Sequence, residues 1–156
     1  MKLAMGSDER THMTDRVVED LTQRGHTVEL IGPLRDEKQT WTQVAQEVAE
    51  RVASGQADEG ILFCWTGTGV SIAANKVPGI RAALCHDAET AKGARLWNRA
   101  NVLCISLRVT SEIIAKEILD AWFATSLGTD QVDVQCVEQV AEIERKYARY
   151  GDKVTG

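Results

Sequence analysis

At 156 residues, 44% of them apolar and 26% charged, the chain has the size and composition of one folded domain, which excludes wholesale disorder. Eighteen basic against twenty-three acidic residues leave a net charge of −5, which argues against general affinity for nucleic acid or anionic membrane. No apolar run approaches the ~20 residues a bilayer-spanning helix needs, so the expectation is a cytoplasmic domain spanning residues 1–156, with no nucleic-acid and no membrane partner.

Short apolar runs alternate with helical patterns along the chain. Lys2–Met5 is predicted as a strand and is followed by Gly6-Ser7-Asp8. Thr14–Gln23 carries Val17, Val18 and Leu21 at helical spacing and stops at Gly25. Thr27–Ile31 is a second strand, closed by Gly32-Pro33. Trp41–Ala53 places Trp41, Val44, Ala45, Val48 and Val52 on one helical face. Ile61–Cys64 is a short, continuously apolar strand, and Ser71–Lys76 a short helix after a glycine-rich turn. Ile80–Cys85 and Val102–Ile105 are the fourth and fifth strands, with helix Ala88–Trp97 between them. Ser111–Ala124 has an apolar stripe of Ile113, Ile114, Ile118, Leu119 and Trp122. A polar stretch from Gly128 to Asp133 leads to a last helix, Val134–Tyr150, whose Glu142, Glu144, Arg145, Lys146 and Arg149 form an exposed charged face.

This alternation predicts an α/β fold, a single doubly wound (Rossmann-like) domain with a five-stranded parallel sheet. The strands lack strict polar alternation, as expected when helices cover both sheet faces. The C-terminal helix, about residues 132–150, falls after the sheet is complete, so it either caps its own subunit or reaches a partner. In such sheets ligands bind beyond the carboxyl ends of the strands. That rule points to Ser7–Arg10, Cys64–Ser71, His86-Asp87 and Ser106–Arg108. None of the four cysteines forms a C-x-x-C pair, so a zinc ribbon is not expected, and Cys85 and Cys104 read as small buried hydrophobes.

The most informative segment runs from Cys64 through Trp65, Thr66, Gly67, Thr68, Gly69 and Val70 to Ser71. A buried strand ends at a cysteine, and a loop with two glycines and three hydroxyl residues opens a helix. Such a turn exposes backbone N–H groups and forms an anion or oxyanion site. A thiol at its edge feels the same positive potential. Thiolate beside oxyanion donors suits proton abstraction next to a carbonyl. A P-loop is excluded because Lys76 lies far from the glycines, and the dinucleotide fingerprint because Ile72 stands where a third glycine is required. A cysteine phosphatase loop would need an arginine at Val70.

The string Cys64–Lys76, containing Ser-Ile-Ala-Ala-Asn-Lys, followed by Gly79-Ile-Arg-Ala-Ala-Leu-Cys85, resembles the ribose-5-phosphate isomerase B and galactose-6-phosphate isomerase family. Gly6-Ser7-Asp8, Asn98, Asn101-Val-Leu, Arg108-Val and Ala115–Trp122 extend the resemblance over nearly the whole chain. It implies an aldose–ketose isomerase that works through a cis-enediolate, without metal or other cofactor, on a sugar or sugar-phosphate substrate. By resemblance Cys64 is the base, Thr66 its helper, and the amides of Gly67, Thr68, Gly69, Val70 and Ser71 the cradle for the enediolate. Asp8 and Asn98 would orient hydroxyls, and Trp41 would be the pocket's aromatic residue. The resemblance also implies a homodimer or tetramer, with each site shared between subunits.

Four departures bear on the substrate. Glu9 stands where the family has a histidine that helps hold it, and a carboxylate repels phosphate at short range. Trp97-Asn98-Arg99 replaces a triplet whose histidine helps open the sugar ring. Ser126–Asp133 lacks the family's phosphate-binding arginines, and Trp65 replaces a glycine. Arg10 and Arg99 are the candidate replacement cations, and Trp65 and Trp97 candidate pocket walls. The expectation is therefore an isomerase of altered specificity; the alternative is a catalytically impaired sugar or sugar-phosphate binding protein that keeps the cradle. Of the histidines, His12 and His86 lie on the functional edge and His26 away from it, and Asp87 is expected to cap a helix.

Overall fold

The computed structural model describes the backbone of residues 1–154 and the side chains of residues 1–148. Strands β1 (Lys2–Ser7), β2 (Thr27–Ile31), β3 (Glu59–Cys64), β4 (Ala82–Leu84) and β5 (Val102–Ser106) form one sheet in the order β2-β1-β3-β5-β4. Every pairing is parallel. The helices are α1 (His12–Gln23), α2 (Trp41–Ala53), α3 (Thr68–Ala74), α4 (Ala88–Leu96), α5 (Glu112–Ala124) and α6 (Gln131–Val154). The predicted doubly wound α/β architecture with a C-terminal helix is the one observed.

Successive strand side chains point to opposite faces. Leu3, Met5, Ile61, Phe63, Leu103 and Ile105 pack with α1, α4 and α5, while Ala4, Leu62, Cys64, Val102 and Cys104 pack with α2 and α3. Both sets are apolar, so the sheet is buried on both sides. Chain direction departs from β1 toward β2 on one side and β3 on the other. The crevice where these departures diverge is the switch point at which doubly wound sheets bind ligands. Asp8 follows β1 and Cys64 ends β3, so the two flank that crevice.

Element ends differ from the sequence expectation where side chains compete with backbone. The first helix begins at His12 rather than Thr14, because Thr11 and Thr14 form a reciprocal capping box. The third begins at Thr68 rather than Ser71. The apolar run Ile80–Cys85 yields a strand of only three residues, Ala82–Leu84. Asn75 accepts a hydrogen bond from the Ala82 N–H and donates to the Ala82 carbonyl, and Asn101 accepts from the Arg81 N–H. Asn75 thus takes the place of a further strand on this edge, while Asn101 extends the pairing on the β5 side. Helix α6 starts at Gln131, three residues before the expected Val134. Glu142, Arg145 and Lys146 are exposed as expected, Glu144 accepts from the Gly79 N–H at 3.1 Å, and the Arg149 side chain lies outside the described residues.

At the amino end of β3, opposite the ligand-binding edge, Glu59 is buried. It pairs with Arg95 at 2.6 Å and accepts from the Trp122 indole N–H at 2.6 Å. Arg95 also lies over the Trp122 ring at 4.9 Å and donates to the Ala100 carbonyl at 2.6 Å. One carboxylate thus ties β3 to α4 and α5. Removing one partner of such a pair strands a buried charge. Arg95→Met should lower unfolding free energy by about 3–5 kcal/mol, and the double variant with Glu59→Gln should lose less than the sum of the singles. A double-mutant cycle by urea denaturation checks this, and strict additivity would refute it.

Candidate active site

The loop after β3 is fixed by its backbone. The Gly67 N–H donates to the Cys64 carbonyl at 3.2 Å, and Gly67 adopts φ +75°. A Cβ there would lie 2.5 Å from Leu84 Cδ1 and 3.1 Å from the backbone of Ile105 and Ser106, so the position admits only glycine. Leu107 N–H donates to the Cys64 carbonyl at 3.0 Å, and Arg108 N–H to that of Trp65 at 2.9 Å, which stitch the loop to the chain leaving β5. The first turn of α3 leaves the amides of Thr68, Gly69 and Val70 outside the helical ladder. The Val70 side chain is buried, so its contribution to a cradle is its amide alone. Thr66 and Thr68 share a hydroxyl–hydroxyl bond of 2.7 Å.

Cys64 is 5% exposed within the single chain. Cys85 and Cys104 are buried, and burial pushes the Cys85 thiol up to about 12 and that of Cys104 further still. Both therefore stay protonated, as expected of core cysteines. The Ser71 hydroxyl opposes the rise at Cys104 in part.

Trp41 opens α2, behind a capping box of Thr40 and Gln43, and lies against α3. A Cβ on Gly69 would approach its ring to 3.1 Å. The expected aromatic residue is thus beside the loop. Two clefts flank this region. One, of about 360 Å³, is lined by Asp8, Pro33, Lys38, Gln39, Thr40 and Gln43. The other, also about 360 Å³, contains Glu9, His12, Trp65, Leu107, Thr110 and Glu112. Burial raises the Asp8 carboxyl above its ordinary range, its own backbone N–H opposes this, and Glu9 adds to the rise. Arg10 is held by Asp15 at 2.9 Å, with Asp36 at 3.9 Å. His12 sits 3.1 Å from Glu112. Asp87 caps α4 by accepting from the Thr90 N–H at 2.7 Å, as expected.

Asp8, Glu9, Arg10, Trp41 and Cys64–Ser71 therefore share one edge of the sheet. Trp97, Asn98 and Arg99 do not join them within this chain. They follow α4 at the amino edge of the strands, where Asn98 lines a groove of about 750 Å³ between the start of β4 and α6. Trp97 is 57% exposed and rests on Gly93. Sequence reasoning missed Lys38, Gln39 and Gln43, although the end of β2 obeys the same strand-end rule as the segments it did identify. Thr110 was missed too; it lies two residues past the segment marked after β5.

A family model described as Ribose/Galactose Isomerase matches residues 3–143. The chain is 38% identical over 148 residues to ribose-5-phosphate isomerase B of Escherichia coli, covering 93% of this chain and 97% of that one. It is 38% identical over 124 residues to D-erythrulose-4-phosphate isomerase of Pectobacterium atrosepticum, covering 78% and 82%. Among solved structures, ribose-5-phosphate isomerase B of Clostridium thermocellum superposes with a TM-score of 0.88 at 38% identity, covering 94% and 99%.

The raised Asp8 pKa has a stability consequence. The folded protein binds this proton more tightly than the unfolded chain does, so the buried carboxylate opposes folding above its folded pKa. That opposition vanishes as pH falls below the ordinary value of 3.8. Asp8→Asn should therefore raise the urea midpoint at pH 7 and leave it nearly unchanged at pH 3. An equal midpoint at pH 7 would show that the burial is not costly.

Proposed function

Because the chain belongs to the ribose/galactose isomerase family, we propose that it interconverts an aldose and a ketose, in the sugar-phosphate class its relatives are named for, with Cys64 as the base. The observation that carries this reading is the junction of β3 and α3. It sets a thiol at the strand end, directly before amides fixed by the Gly67 turn, on the edge that also holds Asp8.

Starting from the aldose, the Cys64 thiolate takes the proton on C2. The electron pair moves into a C1–C2 double bond, and the C1 carbonyl oxygen becomes the enediolate oxyanion. Of the Gly67–Ser71 amides, those of Gly67 and Ser71 are already donated within the loop and helix, and the free ones of Thr68, Gly69 and Val70 stabilise that charge, which is larger than on the starting carbonyl. A proton passes from the C2 hydroxyl to the C1 oxygen, for which the paired Thr66 and Thr68 hydroxyls offer a relay. Return of the cysteine's proton to C1 completes the ketose, with no net oxidant, reductant or proton consumed. Asp8 and Trp41 border the same edge, as an acceptor for sugar hydroxyls and as an aromatic wall.

The enzyme acts as a homodimer on this reading. Within one chain Trp97, Asn98 and Arg99 stand at the far edge from Cys64, beside α6 with its exposed Val132, Val140 and Ile143. A second copy brings its own Trp97–Arg99 segment over the Cys64 loop. Trp97 replaces the family's ring-opening group and Ser126–Asp133 lacks its phosphate-binding arginines; these two departures favour the alternative, a sugar-binding protein without turnover.

Cys64→Ala should reduce solvent-deuterium incorporation at substrate C2 by about 10²–10⁴-fold, the usual contribution of a general base, with the fold intact by circular dichroism. Incorporation that persists removes Cys64 from the mechanism, and sugar-phosphate binding without incorporation in the unaltered protein identifies the binding alternative. Mixing Cys64→Ala with Asn98→Ala subunits should restore roughly a quarter of the native rate, since half the random dimers carry one intact site. No restoration, or a monomer by sedimentation, would defeat the shared site.

A further inference from the structure

The cleft beside Trp65 has a composition unlike a phosphate site. It opens one residue from Cys64 and is bounded by the starts of α1 and α5. A helix start ordinarily attracts anions. Here each is already capped from within, by the Thr11 hydroxyl accepting from the Thr14 N–H and the Ser111 hydroxyl accepting from the Ile114 N–H, both at 3.2 Å. Glu9 and Glu112 place two carboxylates in the cleft, and the nearby imidazole of His12 is engaged by Glu112 at 3.1 Å. Glu9 is not a loose surface residue at its backbone. The fully buried Ser7 hydroxyl donates to the Glu9 carbonyl at 2.6 Å and accepts from the Glu9 N–H at 3.2 Å.

Two further observations point to a ligand. Thr110 is 8% exposed, lines the cleft, and its hydroxyl has no hydrogen-bond partner among the described residues. An unpaired buried hydroxyl is costly unless something supplies the bond. Trp65 is 57% exposed, yet its backbone is tied down by Arg108 N–H at 2.9 Å and the Ser106 hydroxyl at 3.0 Å. A large exposed aromatic face on an anchored backbone, beside carboxylates and an unpaired buried hydroxyl, suits a polyhydroxylated chain: the ring takes its C–H face, and the oxygens take its hydroxyls.

We propose that this cleft is the subsite for an uncharged, hydroxyl-bearing end of the substrate, with Trp65 as its platform, Glu9 as acceptor for adjacent hydroxyls and Thr110 as a further partner, and that a phosphate group is excluded from it. The proposal rests on the isomerase reading for what the substrate is, and it adds that any phosphate the substrate carries lies elsewhere. Glu9, Trp65 and Thr110 are then specificity-determining residues.

The test compares ribose with ribose 5-phosphate as substrates of the native dimer and of Glu9→Gln, Trp65→Gly and Thr110→Val. Deuterium incorporation at C2 reports turnover, and tryptophan fluorescence during titration with ribitol and ribitol 5-phosphate reports binding. Glu9→Gln should shift the phosphorylated-to-neutral kcat/KM ratio toward the phosphorylated sugar by about tenfold, as expected for loss of one close like-charge contact. Thr110→Val should raise KM for ribose about fivefold, the cost of one neutral hydrogen bond, with kcat little changed. Ribitol should quench fluorescence, and Trp65→Gly should abolish the quenching. Ribitol binding that depends on Glu9 in a protein that exchanges no proton would sink the isomerase reading and leave the subsite standing. Turnover with a ratio unmoved by Glu9→Gln would overturn the subsite and spare the isomerase. Neither turnover nor binding of either pair would overturn both.

Discussion

The turn at Gly67 is the constraint on which the rest of the site depends. Its left-handed backbone lets the chain leave β3 at Cys64 and enter α3 within four residues. Leu84 from β4 and the main chain of β5 press against the very place a side chain would occupy. Three adjacent strands therefore fix one peptide unit, and that unit fixes the direction of the amides that follow. The electrostatic value of such amides comes from being aimed before the reaction begins. Rigidity is supplied by packing from two directions, with Trp41 closing over Gly69 from α2.

Much of this was legible in the amino-acid sequence because the decisive signals are local. A continuously apolar run ending in Cys64, two glycines within six residues and alternating strand and helix periods determine fold class and loop together. What was not legible is long-range. The contact of Trp41 with Gly69 joins residues in separate elements, and no spacing rule connects them. The start of α3 was placed at Ser71 because Gly69 looked like part of the turn. Of these two glycines, Gly67 alone has positive φ, and Gly69 is helical, glycine being needed there for closeness to the indole. The shortness of β4 depends on Asn75 and Asn101 reaching backbone groups of Arg81 and Ala82.

The position of Trp97–Arg99 is a case of a different kind. Topology alone decides it. A helix that leaves the carboxyl end of one parallel strand must return to the amino end of the next, so the residues after α4 cannot sit beside Cys64 of the same chain. Resemblance grouped these residues by role, whereas the fold separates them by the full height of the sheet. The two statements agree once a second copy is considered, which is why the dimer and the chemistry stand together in the proposed function. Departures from the family pattern fall into two groups along the same line: Glu9 and Trp65 beside the loop, Trp97 and Arg99 across from it.

The buried knot of Glu59, Arg95 and Trp122 lies at the end of β3 opposite Cys64. One strand thus carries its anchor at one tip and its reactive thiol at the other, with a doubly covered apolar stretch between them. Side chains at the mouth can be exchanged without touching the knot, and distant substitutions combine almost independently. Substrate preference can therefore shift at one tip of the strand while the knot at the other tip keeps its own contribution to stability.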